Sequence, residues 1–175
     1  MKYWGWLIGL WLLLGEAFAA PKIAVLDFEL KDMTLAPGIP AEIERTASIK
    51  PLLESELQAA GYSIVKIPMA AQQTADSGVG YLFDHADTAA DLAREYHADY
   101  IVVGRLHKPS FLFAYLMANL VRVSDGQVLG HLIAESKGPN RALVLKAVES
   151  MTVKIDGLLE HRYTPPPPQH RTLQP

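Results

Sequence analysis

Apolar residues along this chain alternate between short continuous runs and stretches where they recur every three or four positions, and that contrast predicts its elements. The run over residues 22–30 holds Ile23, Val25, Leu26 and Phe28. It is nearly unbroken at its centre, which predicts a strand buried on both faces. Turn-forming residues 31–40 follow, with Pro37-Gly38 as the clearest break. Ile49, Leu52, Leu53, Leu57 and Ala60 then recur at helical spacing, with Glu54 and Glu56 facing away and Gly61 placed to end the run. Pro51 falls inside this pattern, so the expectation is a helix in two pieces, the second starting near Ser48, or one with a kink. Residues 62–67 predict a short strand. Residues 68–81 are small, polar or glycine-bearing and predict a mobile loop with one helical turn at most.

A helix is expected from Asp87 or Thr88 to His97, with Thr88 and Asp91 spaced as a capping box and Leu92 and Tyr96 on its inner face. Residues 100–107 read as a third strand. A long apolar stretch over 111–123 runs into Ser124-Asp125-Gly126-Gln127, whose Asp-Gly pair is a strong hairpin signal, so 128–134 should return antiparallel. Asn140 caps a last helix in which Leu143, Val144, Ala147, Met151, Ile155 and Leu158 repeat every three or four residues. Two crossover units followed by a hairpin define an α/β fold: a layered, mixed β-sheet of about five strands packed by about three helices in a single domain.

The two ends of the chain do not fit this pattern. Residues 1–19 have Lys2 at the start, a short apolar run through Leu14, and Ala17-Phe18-Ala19 as a small-x-small site, which predicts a signal peptide cut after Ala19. That run is too short to span a bilayer, which needs about 20 residues. The expectation is therefore a periplasmic or secreted protein without a membrane span after cleavage, comprising a domain over 20–160 and a proline-rich, disordered tail over 161–175. Pro165, Pro166, Pro167 and Pro168 favour an extended polyproline segment. The chain of 175 residues carries a net charge of −3, which gives nucleic acid no concentrated basic stripe to bind. It has no cysteine, which excludes disulfides, thiolate zinc, iron–sulfur clusters and cysteine nucleophiles.

Four segments occur in a telling order: Lys22-Ile23-Ala24-Val25-Leu26-Asp27-Phe28, Ala59-Ala60-Gly61-Tyr62, Ala98-Asp99-Tyr100-Ile101-Val102-Val103-Gly104-Arg105, and Val121-Arg122-Val123-Ser124-Asp125-Gly126-Gln127-Val128-Leu129. Together they resemble the α/β domain shared by the TolB amino-terminal module, the CsgG and LpoB proteins, and a family of secreted proteins of unknown function. The resemblance covers about residues 21–160, and its strand and turn signatures specify fold more than activity. It implies a cell-envelope module that works by contacting other proteins, and it names a periplasmic quinoprotein dehydrogenase system as one candidate partner. The chain has no room for the propeller that follows the module in TolB, and it lacks the lipid-bearing cysteine typical of CsgG and LpoB. Neither pore formation nor synthase activation carries over.

Motifs for chemistry are sparse. Gly78-Val79-Gly80 lacks a third glycine and a preceding strand, Ser77 is not in a nucleophile elbow, and HExxH is absent. Asp27 and Glu29 fall at the end of the first strand, where ligands meet open α/β sheets, and alternation puts them on one face; Arg105 and His107 alternate likewise at the end of the third strand. These four are the candidate ligand-binding residues, with a structural ion pair as the competing reading. Asp84, His85, Asp87 and Asp91 are the candidate metal ligands, although carboxylates also gather at helix starts because they oppose the dipole, and calcium-loop spacing is missing. Phe111, Phe113 and Tyr115, with Leu112, Leu116 and Met117, exceed what one strand face needs: either two helices bury them or a bare surface remains for a partner.

Two functions follow. One is a non-catalytic accessory that binds a periplasmic or envelope protein, through Phe111, Phe113, Tyr115 and the prolines at 165–168, without cofactor. The alternative is a small-ligand or metal binder, enzymatic or not, built on the carboxylates and the Arg/His pair.

Overall fold

The computed structural model describes residues 20–136, 138 and 140–159. The predicted signal peptide and the proline-rich segment, with Pro165 to Pro168, lie outside them. Eleven elements follow in chain order: β1 (Lys22–Val25), β2 (Glu29–Asp32), α1 (Pro40–Ala59), β3 (Ser63–Val65), α2 (Met69–Ala75), α3 (Tyr81–Asp84), α4 (Ala86–Glu95), β4 (Tyr100–Lys108), β5 (Tyr115–Arg122), β6 (Val128–Glu135) and α5 (Arg141–Leu158). The strands form one mixed sheet in the order β3-β1-β4-β5-β6, with β2 pairing β4 beyond the end of β1. The β1–β3, β1–β4 and β2–β4 pairs are parallel and the β4–β5 and β5–β6 pairs antiparallel. This is the expected α/β class, with six strands and five helices among the described residues.

Both faces of the sheet are covered along β1 and the first half of β4. Ile23, Val25, Leu106 and Leu120 pack under α1 and α5 with Leu53, Leu57 and Met151. Ala24, Leu26, Ile101 and Val103 pack on the other face with Ala89 and Leu92 of α4. Burying each of the larger side chains contributes about 1.5–3 kcal/mol. Asn140 Oδ1 accepts the Ala142 N–H at 2.8 Å and starts α5, and Gly126, at φ +69°, makes the hairpin turn, both as the sequence predicts.

The single strand expected over 22–30 is two strands separated by a bulge. Val25 lies opposite Val102 and Glu29 opposite Arg105, so three residues on this edge face two on β4. The bulge takes Asp27 out of the ladder, and the Gln72 side chain replaces what is lost: its Oε1 accepts the Asp27 N–H at 2.8 Å and its Nε2 donates to the Asp27 carbonyl at 3.0 Å. Phe28 then folds across Gly104. A Cβ there would fall 2.0 Å from the Phe28 ring, so no side chain fits.

Three helical expectations are also corrected. α1 is continuous through Pro51. The carbonyl that proline leaves unpaired belongs to Ala47, which is exposed and solvated. Residues 69–75, expected as loop, form α2, which has no fully buried residue and so no apolar stripe to announce it. The Thr88–Asp91 capping box does not form, because α4 begins earlier, with His85 at its N-cap.

Candidate functional site

The bulge divides the residues proposed for ligand chemistry. It resets the alternation, so Asp27 and Glu29 do not share a face. Asp27 pairs with Lys50 of α1 at 2.9 Å. Glu29 lies on the opposite side, its Oε1 2.6 Å from Arg105 Nε, an ion pair without an aligned hydrogen bond. The Arg105 guanidinium is 3.7 Å from the Phe83 ring centroid, and its Nη2 is 3.7 Å from Asp84 Oδ1. His107 shares the Arg105 face, and its Nδ1 has no hydrogen-bond partner among the described residues. Asn119 Nδ2 also donates to the Phe83 carbonyl at 2.8 Å. Arg105 and Asn119 therefore fasten the one-turn helix α3 onto the sheet. Gly80, at φ +85°, permits this, because a Cβ there would approach Arg105 Nη2 to 3.1 Å.

The four residues proposed as metal ligands disperse. Asp84 turns toward Arg105, His85 stacks on Tyr81 with ring centroids 4.0 Å apart, Asp87 sits in the first turn of α4, and Asp91 pairs with Arg94. Among the described residues, no three His, Asp or Glu side chains form a group able to hold a metal ion.

The aromatic stretch splits between burial and exposure. Leu116 faces the core, while Tyr115 and Met117 are half-buried on the sheet face opposite α1 and α5. Phe111, Leu112 and Phe113 precede β5 in an exposed loop. That loop meets a second, unforeseen apolar segment. The Met33 N–H donates to the Lys108 carbonyl at 2.9 Å, which brings Met33, Leu35, Ile39 and Ile43 to the same end of the sheet.

Beneath this apolar end lies a buried ionic cluster that sequence reasoning missed. Glu42 accepts from Arg45 Nη1 at 3.1 Å and from Lys108 Nζ at 3.0 Å, and Arg45 Nη2 donates to the Ser136 hydroxyl and carbonyl at 2.6 and 3.0 Å. All four residues are buried. Asp32, paired in register with Lys108, accepts the Thr34 hydroxyl and N–H and the Gly38 N–H. Burial opposes its ionisation, but those hydrogen bonds and the Lys108 charge outweigh it and hold its pKa below the usual carboxylate value. One signal was available: alternation sets Lys108 on the core face with Val102 and Leu106.

At the far end of the sheet, Pro21, Arg94, Asp99, Tyr100, Arg122 and Ser124 line an open cleft of about 550 Å3. Its cations are already committed, Arg94 to Asp91 and the Val123 carbonyl, Arg122 to Asp125 and Gln127. Another open feature is β6. It is an edge strand of eight residues, and on the sheet face opposite α1 and α5 its His131, Ile133 and Glu135 are exposed beside Asn119, Met117 and Tyr115 of β5.

A mixed sheet with two crossover units and a closing hairpin, covered by helices on both faces, defines an α/β module. The chain belongs to the DUF3280 family, described as a protein of unknown function (DUF2380), whose model matches residues 21–153. None of the curated proteins matches it. Among solved structures, it is similar to a PelC dodecamer from Paraburkholderia phytofirmans, with 17% identity and a TM-score of 0.52 over 80% of this chain and 88% of that one. TolB from Acinetobacter baumannii is 15% identical with a TM-score of 0.51, over 81% of this chain but 29% of TolB. The LpoB C-terminal domain from Salmonella enterica is 16% identical with a TM-score of 0.46, over 71% and 87% of the two chains. The TolB part of the resemblance holds at the level of fold. Nothing in these comparisons supports a quinoprotein dehydrogenase system as partner.

Proposed function

We propose that this protein is a non-catalytic accessory of the cell envelope, exported to the periplasm, which acts by binding another polypeptide along β6 and the open sheet face beside it. One observation carries the reading. An eight-residue edge strand with a half-exposed isoleucine, Ile133, borders a partly bare sheet face, and Val128 to Glu135 hold neither proline nor lysine, the usual guards of a free edge. Several of the charged residues nominated for chemistry are engaged in ion pairs, Asp27 with Lys50, Glu29 with Arg105 and Asp91 with Arg94, which supports binding over catalysis. Pro165 to Pro168 supply a second contact to the same partner in this reading. Because PelC is a dodecamer in its crystals, the partner class includes another copy of this chain.

A photoreactive residue in place of Ile133 tests the proposal in intact envelopes. One discrete protein adduct is expected, absent when the same group replaces Val153 on α5, and weakened by truncation before Tyr163. The adduct's mass tells a second copy from a different protein. Equal labelling from positions 133 and 153 would sink the idea.

A further inference from the structure

The apolar end of the sheet inverts the usual arrangement: charges are buried and large hydrophobic side chains face outward. Leu35 is 96% exposed, Leu112 79%, Phe111 67% and Met33 64%. They stand on two adjacent loops, residues 33–41 and 109–114, neither of which contains a charged residue. Several polar groups of these loops are already bonded within the fold. Their only hydroxyls are spent within their own turns, Thr34 on Asp32 at 2.7 Å and Ser110 as acceptor from the Leu112 and Phe113 N–H groups at 3.3 Å. The N–H groups of Met33, Thr34 and Gly38 are likewise bonded to Lys108 and Asp32, and positions 37, 40 and 109 are prolines with no N–H at all.

A protein interface of ordinary size has a polar rim and about one hydrogen bond per 100–200 Å2. These loop tips have almost no side-chain polarity to offer such a rim. In hydrocarbon the same feature is an advantage, because every unsatisfied polar group there costs several kcal/mol. We infer that the tip of loops 33–41 and 109–114 dips into the headgroup–acyl boundary of a phospholipid surface, with Leu35, Phe111 and Leu112 deepest. Apolar burial alone drives the contact. The tip carries no charge and the chain is net −3, so anionic lipid adds nothing. Bound this way, the protein keeps β6 free, and the inference does not depend on the function proposed above.

The absence of cysteine makes the test direct, since a single Leu112→Cys in the full chain takes a solvatochromic fluorophore at one place only. On phosphatidylcholine vesicles the emission should shift to the blue, as it should from Leu35→Cys, while a label on Val153→Cys stays unchanged. The shift should persist at high salt and gain nothing from added phosphatidylglycerol. Adding Leu35→Ser and Phe111→Ser to the labelled chain should weaken vesicle binding at least about tenfold, as expected for losing part of the burial of two large side chains. Three outcomes would overturn the inference. The first is vesicle binding with no shift at position 112. The second is a shift that needs phosphatidylglycerol and disappears in salt. The third is a shift produced by a protein partner and not by vesicles, which would make the tip a protein contact.

Discussion

The two ends of the sheet are built from the same strands and finished in opposite ways. At the amino end of the parallel strands, charges face water and hold turns together: the Lys22 N–H donates to Asp99 at 2.8 Å, and Arg122 Nη1 meets Asp125 at 2.9 Å. The exposed Arg122–Asp125 pair contributes about 0–1 kcal/mol. At the carboxyl end Glu42, Arg45 and Lys108 are buried together, where desolvation is costly and every charge depends on its counterpart. The connections as well as the elements they join set the character of each end. Short turns of Asp, Gly and Ser close one, while two loops of Leu, Met, Phe and Pro close the other.

The sharpest way to break this contrast is Glu42→Gln, which leaves Arg45 and Lys108 buried without their shared carboxylate. Urea unfolding should report a loss of about 3–5 kcal/mol; a change as small as that of a surface pair would mean the two ends do not differ as described. Gly104→Ala should cost about 1–3 kcal/mol by pressing on Phe28 and displacing β2, which carries Met33 to the carboxyl end. The same substitution combined with Phe28→Ala should cost less than the two singles summed, and strict additivity would argue against the contact.

The smallest effect compares two aspartates. Both Asp32 and Asp125 have pKa values held below the ordinary carboxylate value, the latter first through the Gln127 N–H and then through Arg122. A depressed folded-state pKa gives stability that is present above the unfolded value and lost as pH falls through the folded one. Acid titration followed by unfolding should therefore show Asp32→Asn removing part of the decline below about pH 4, as expected for a carboxylate. Asp125→Asn, at an exposed turn at the other end, should change nothing measurable.

Much of the fold was legible because its signals are local. Asp125-Gly126 can make its turn without help, and Asn140 caps α5 within three residues. What failed to read depends on distant partners. The bulge at Asp27 exists because Gln72 completes its hydrogen bonds and Gly104 makes room for Phe28, and neither residue is near it in sequence. Because that one extra residue changes which face Asp27 occupies, the proposed pairing with Glu29 dissolved, whereas Arg105 and His107, on an unbulged strand, share a face as expected. The apolar stretch at 111–117 announced surplus hydrophobicity, but its exposed half became recognisable only with Met33 and Leu35 beside it.

The contact between Phe28 and Gly104 bears on how this family diverges. A relative that retains the extra residue between its first two strands cannot acquire a side chain at the glycine without first shrinking the phenylalanine. The two positions should therefore change together down the lineage, with the ring lost before the methyl is gained.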